Sequence, residues 1–275
     1  MMTRHVRSQF ALLLILGLGA TVILVPFAWM VLSSFKPNAE LVQLPPSLIP
    51  EQPTFANYVR VWTEISFGRY MWNSLWLATV KTLLVLYTSA LAGYLFAAYD
   101  FAGKRLLFGL VLATMMVPWP VTIIAQYQQM LWFGWVGTYT ALIIPALMNS
   151  FGIFMMRQFI AGLPRELIDA ARVDGASEFG IFHRIVLPLS RAAASALAVF
   201  LFLWSWDDFL WPYLMLLNDA DYVLPIGIAL LQGRYEVDYG AVFAGMSISI
   251  IPVILVYLFL QRSFIEGIAF SGLKG

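Results

Sequence analysis

FALLLILGLGATVILVPFAWMVL, Phe10–Leu32, runs for 23 residues without one charged side chain. The hydrocarbon core of a bilayer is crossed by about 20 mostly apolar residues in a helix. Arg4 and Arg7 precede the run, as they would in a secretory leader. A leader's apolar stretch is only about 7–15 residues long and ends at a small-x-small cleavage site, and none follows here. The run therefore reads as a retained membrane helix. Five more runs of similar character follow: Asn73–Ala98, Leu106–Gln126, Thr138–Met156, Ala192–Leu217 and Tyr239–Leu260.

Composition agrees with that count. Of 275 residues 61% are hydrophobic and 11% charged, whereas a water-facing domain carries roughly a quarter charged residues. Net charge is +1, so no basic excess points to nucleic acid, and with no cysteine there is neither a disulfide nor a thiol nucleophile. The expected fold is an all-α integral membrane bundle of six helices, residues 1–275 forming a single transmembrane domain.

Basic residues set the orientation, because they collect on the cytoplasmic side. With the N-terminus inside, the inner segments hold Arg4, Arg7, Lys104, Arg105, Arg157, Arg165, Arg172, Arg184, Arg191, Arg262 and Lys274. The outer segments hold Lys36, Arg60, Arg69 and Arg234, and Lys81 lies within a span. Both termini are thus expected in the cytoplasm. Ser33–Trp72 is an outer segment carrying Pro37, Pro45, Pro46, Pro50 and Pro53, read as mostly non-helical. Asn218–Asp238 is a second, with Asp219, Asp221, Glu236 and Asp238.

The largest inner segment contains LPRELIDAARVDGASEFGIFHRIVLPL, Leu163–Leu189. Pro164 suits the first position of a helix, and Glu166 favours its positive end. Leu167, Ala170 and Ala171 fall on one face, and Gly175 follows as a helix-ending residue. Ser177 or Asp174 can cap a second helix on which Phe179, Phe182 and Val186 share a face, ended near Pro188. Helices this short are marginal in water without a docking surface. The segment reads as a rigid elbow built to be held from the cytoplasm.

The spacing resembles the signature loop of binding-protein-dependent ABC importer permeases: Glu-Ala-Ala, then Asp-Gly-Ala, then Phe-x-x-Ile-x-Leu-Pro. Ala170, Ala171, Asp174, Gly175, Ala176, Phe182, Ile185, Leu187 and Pro188 match in register, and Asp169 stands where the family has Glu. Phe151–Ser177, Trp204–Leu216 and the tail Gln261–Gly275 are similar to the carbohydrate-uptake branch, in particular to the second permease of the maltose type. The resemblance implies a six-helix permease paired with a second permease on two ATPase subunits, fed by an extracytoplasmic solute-binding protein, in the bacterial inner membrane. It also implies a sugar or polyol solute, with Glu166, Asp169 and the matched residues in the ATPase-coupling loop. No G-x-x-x-x-G-K-[ST] loop occurs, so this chain is expected to bind no cofactor, ATP and Mg lying on the partner ATPases.

Charges inside spans are candidate functional groups. Asp207 and Asp208 stand in the fifth run, Asp208 about 25 Å along the helix from Arg191. Trp204, Asp208 and Trp211 are spaced i, i+4, i+7, as on one helical face. Carboxylates beside indoles suit a sugar path; equally, Trp206 and Trp211 suit an interfacial belt and the aspartates outer water or a helix cap. Lys81 has three readings: snorkelling, facing the partner permease, or, ranked last, pairing with an aspartate. Pro118 and Pro120 predict a kink, with Gln126, Gln128 and Gln129 at its polar end; the freed carbonyls could line a water-filled path, but an adjustment of packing is the reading preferred. Gly17 and Gly19 fit close helix packing as well as any motion. No catalytic or metal site is expected, and His5 and His183 have no metal-like companions. An ion-coupled transporter would need repeats and broken helices near midplane acids, and a membrane enzyme a converging polar cluster; neither pattern is found.

Overall fold

A computed structural model describes the backbone of residues 2–232 and 237–271, and the side chains of 9, 12–232 and 237–261. Arg234, Glu236 and the Gly272–Gly275 tail lie outside the described residues, as do the side chains of Arg4, His5, Arg7 and Arg262. Every regular element among the described residues is helical. Among the described residues four stretches are long and apolar enough to cross a membrane: Leu12–Ser33, Phe67–Ala98, Thr140–Ile160 and Tyr239–Gln261. Two bent pairs, Lys104–Met116 with Trp119–Trp132 and Glu178–Leu189 with Arg191–Trp206, would make six if each pair is one crossing.

The breaks follow the prolines. Leu106–Gln126 reads as one kinked run, but the helix turns by 106° between Met116 and Trp119. Pro118 fixes its own φ and forces Val117 out of the helical region, to φ −88° and ψ 115°. The run Ala192–Leu217 is also discontinuous, ending at Trp206 and resuming at Leu210–Met215. Pro212 cannot donate to the Asp208 carbonyl and its ring crowds it, so no regular turn can span 207–209. Within Thr140–Ile160, the chain relaxes around Pro145 and restarts where Asn149 Oδ1 caps Gly152 N at 2.7 Å.

The chain divides into two compact units, residues 1–68 with 227–251, and residues 69–226 with 252–275. In the first, Met2–Ser33 bears an apolar surface that packing within the chain leaves uncovered, Leu13 being 67% exposed and Val22 72%. Beyond it the segment expected to be non-helical forms helices at Asn38–Leu41 and Ala56–Glu64, its prolines being confined to 37–53. Buried Asn57 holds this turn, donating to the carbonyls of Ser34 and Lys36 at 2.7 Å each. Arg60 pairs with Asp238 at 2.5 Å.

The second unit is organised by the 67–98 helix. Gly93 and Gly152 permit a close crossing with helix Ser150–Ile160: a Cβ on Gly93 would stand 2.8 Å from Met156 Cβ and Arg157 N. A Cβ built at Gly17 or Gly19, positions that suit packing and motion equally, would meet no other part of this chain within 4 Å. The core runs from Val85, Ala90 and Tyr94 through Met156 and Ile160 to Ile181, Phe182 and Val186, tying the elbow to the helices.

Candidate functional site: the elbow and a tryptophan-lined cavity

Helix Arg165–Val173, with Pro164 just before it, forms the elbow's first arm. It ends in a Schellman arrangement: Gly175 N donates to Arg172 O and Ala176 N to Ala171 O, both at 3.0 Å, with Gly175 at φ +78°. Ser177 Oγ then accepts from Gly180 N at 3.2 Å and starts the second arm, Glu178–Leu189. That arm passes through a π-turn at Phe182–Val186 and bends by 79° into helix Arg191–Trp206. Pro188, lacking the N–H that would reach back to Arg184, accounts for the widened turn.

The buried and exposed faces differ from the sequence expectation. Ile168, Ile181, Phe182 and Val186 are the buried anchors, while Phe179, expected beside Phe182 and Val186, is 64% exposed. Ile181 and Phe182, adjacent in the chain, centre the buried face between them, and at about 100° per residue Phe179 falls outside it. Leu167 and Val173 are also exposed, at 46% and 88%, as are Ala170, Gly175 and Ala176. The elbow thus keeps Ile168, Ile181, Phe182 and Val186 for its own core and leaves Leu167, Val173 and Phe179 uncovered. Of the charged residues singled out, Glu166 and Asp174 are exposed; Asp169 pairs with Arg172 at 3.1 Å.

Sequence reasoning missed Glu178. Its carboxylate accepts from Arg172 Nε at 2.7 Å, from Tyr94 Oη at 3.1 Å and from Tyr99 Oη. Hydrogen bonds from Arg172 and then Tyr99 pull its pKa down to about 2 against the cost of burial. A depressed carboxylate stabilises the fold above its unfolded value, near 4.3, and that contribution is lost as pH falls from there towards 2. The ion pair stays formed at neutral pH. Only the i to i+6 spacing of Arg172 and Glu178 hinted at it, and the tyrosines come from the end of the 67–98 helix and the residue just after it.

The candidate path residues separate. Because the helix breaks at 207–209, Trp204, Asp208 and Trp211 share no helical face, yet all three line one cavity of about 870 Å³. Lys81, Trp119, Gln126, Gln129 and Asn149 line it too. Asp207 is exposed and lies outside that lining. Trp211 Nε1 donates to Ala141 O at 3.0 Å, and Trp119 meets the Trp211 ring edge-on at 6.1 Å. Trp206 and Trp211 are buried, which removes them from a lipid-facing belt, whereas Trp204 is half exposed. Lys81 Nζ lies 3.7 Å from Asp208 Oδ2, the pairing that the sequence reading ranked last. The break explains the change: it frees Asp208 from helical register to turn towards the 67–98 helix. His183 bonds Phe179 O at 2.9 Å and Tyr87 Oη at 3.3 Å, and among the described residues no cluster of three metal-binding side chains occurs.

A helical chain long and apolar enough to cross a membrane, with broken helices around a cavity lined by tryptophans, amides and the Lys81–Asp208 pair, suits a translocating subunit. The chain belongs to the family of binding-protein-dependent transport system inner membrane components, whose model matches residues 89–269. That span takes in the elbow and most of the cavity wall, though not Lys81. It is 37% identical, over the whole of both chains, to the arabinooligosaccharides transport system permease protein AraQ of Halalkalibacterium halodurans. Identity to the diacetylchitobiose uptake system permease protein NgcG of Streptomyces coelicolor is 33%, covering 90% of this chain and 83% of that one. Among solved structures, a bacterial ABC transporter involved in import of the acidic polysaccharide alginate superposes with a TM-score of 0.80, at 22% identity over 93% of this chain and 95% of the other. The protein is therefore an inner-membrane permease subunit rather than an enzyme, and the ion-coupled and enzymatic readings fall away.

Proposed function

We propose that this chain crosses the membrane six times with both termini in the cytoplasm, pairs with a second permease, and imports a saccharide or related polyol. An extracytoplasmic binding protein delivers the solute, and two ATPase subunits carrying ATP and Mg drive the cycle. Saccharide permeases among the relatives and the tryptophan–amide–carboxylate lining both support this solute class. Indoles offer a flat apolar surface to the C–H faces of a sugar, and Gln129, Asn149 and Asp208 offer groups for its hydroxyls.

The observation carrying the mechanism is the outward apolar face of Leu167, Val173 and Phe179 on an elbow whose other face is already packed. Such a face on a short, self-capped unit fits a cleft in a cytoplasmic partner. Closure of the ATPases would push the elbow and tilt the helices on either side of it, switching the access of the cavity. Leu167→Asp with Phe179→Asp should leave membrane insertion intact and abolish copurification of the ATPase. Retention of the ATPase at the parental level would refute the docking role.

The cavity is tested separately. Trp204→Ala should lower uptake several-fold while the complex assembles and its basal ATP hydrolysis continues. Uptake at the parental rate would make Trp204 a packing residue only.

A further inference from the structure

The elbow and the 67–98 helix touch mainly through apolar side chains. Tyr94 stacks on Phe182 with ring centroids 5.7 Å apart, and Ala97, Ile160 and Ile181 complete the contact. Apolar surfaces have no preferred direction and slide past one another at small cost, so such a contact alone transmits a push poorly. A charged acceptor held by several directional donors is a different kind of joint. Glu178 is placed to be one. Arg172 reaches it from the first arm of the elbow, Tyr94 from the buried end of the long helix, and Tyr99 from the residue following that helix. Arg172 also lies over the Tyr99 ring, 5.5 Å from its centroid, and pairs with Asp169. Three segments therefore converge on one carboxylate.

The far side of the joint leads to the cavity. Tyr94 and Lys81 are on the same unbroken helix, thirteen residues or about 20 Å apart. Lys81 there meets Asp208 in the cavity wall. We propose that Glu178 is the latch through which displacement of the elbow is passed to the 67–98 helix, and so to the Lys81–Asp208 wall. This rests on the reading of the elbow as the seat of the ATPase. Glu178 touches no solute and is a positioning residue.

The test uses the assembled importer in vesicles and reads solute imported per ATP hydrolysed. Tyr94→Phe with Tyr99→Phe removes both hydroxyls and keeps the ring of 94 on Phe182 and the ring of 99 against it. Bonds to a charged group are the strong kind, so losing two should lower the ratio about tenfold or more, with the ATPase still bound. Glu178→Ala should lower it at least as far, and adding it to the tyrosine pair should cost little more, because all three changes open the same joint. Glu178→Gln keeps an acceptor for the hydroxyls and should recover part of the ratio. An unchanged ratio in the tyrosine pair overturns the latch, as does a fall in thermal stability with the ratio preserved. Tyr99→Phe alone serves the same comparison should the pair assemble poorly. ATPase retention in the Leu167→Asp, Phe179→Asp variant reports on the seat instead, so the two failures are distinguishable.

Discussion

Gly175→Val should uncouple the transporter: the protein is expected to insert with its partners present, while ATP hydrolysis no longer drives uptake. The cause is the backbone. Gly175 sits at φ +78°, where an L side chain costs about 1–2 kcal/mol, and valine's branched Cβ is among the worst choices there. Nothing lies within 4 Å of a Cβ built at that position, so the effect is conformational and not a clash. A penalty of that size lowers the population of the formed elbow about five- to thirtyfold. The Schellman bonds at Gly175 and Ala176 would open, and the cap at Ser177 would no longer start the second arm in register. Asparagine visits the left-handed region more readily, so Gly175→Asn should retain most of the coupling that valine loses. Coupled uptake in reconstituted vesicles checks both, and normal transport by the valine variant would make the segment a passive linker.

Breaking the Lys81–Asp208 pair should be the most damaging change in the interior. The two side chains are only 17% and 24% exposed, and removal of one partner leaves the other charge unpaired in an apolar setting. Such losses run to about 3–5 kcal/mol, whereas replacing both partners together is far milder. Lys81→Met and Asp208→Asn, each alone, should therefore cut the amount of assembled complex sharply. The double variant should recover assembly, with a coupling energy that a double-mutant cycle can extract. Its transport should stay low, because the cavity has then lost its carboxylate. Quantifying assembled complex and uptake for the four proteins checks the argument; a single variant that accumulates like the parent would contradict it.

Much of this was open to sequence reading because it depends on local chemistry. Apolar length gave the membrane helices, and Gly175, Ser177 and the prolines mark the turns of the elbow within a residue or so. Asp208 beside Trp204 and Trp211 was legible as a group, but for the wrong geometric reason. A helical wheel assumed a continuous run through Pro212, and the break there brings the three to one cavity from different elements. Period-based arguments fail wherever the period changes; Phe179 faces outward for another reason, because Ile181 and Phe182 together centre the buried face away from it. What could not be read were joints between distant segments. Tyr94 and Tyr99 precede Glu178 by about eighty residues, and Trp119 precedes Trp211 by about ninety. Each partner looks like an ordinary aromatic residue of a membrane helix until the fold sets it beside the other.

The chain contains no cysteine, so a thiol placed anywhere reports on one site alone. Cysteines at Val173 and Phe179, on the exposed face of the elbow, and at Trp132, 86% exposed at the end of the 119–132 helix, can be loaded with a thiol-directed photocrosslinker in the assembled importer. Photolysis should join the chain to the ATPase from positions 173 and 179 and not from 132. Crosslinks to the ATPase from 132, or none from either elbow position in a complex that still hydrolyses ATP and transports, would contradict the elbow as the seat of the motor.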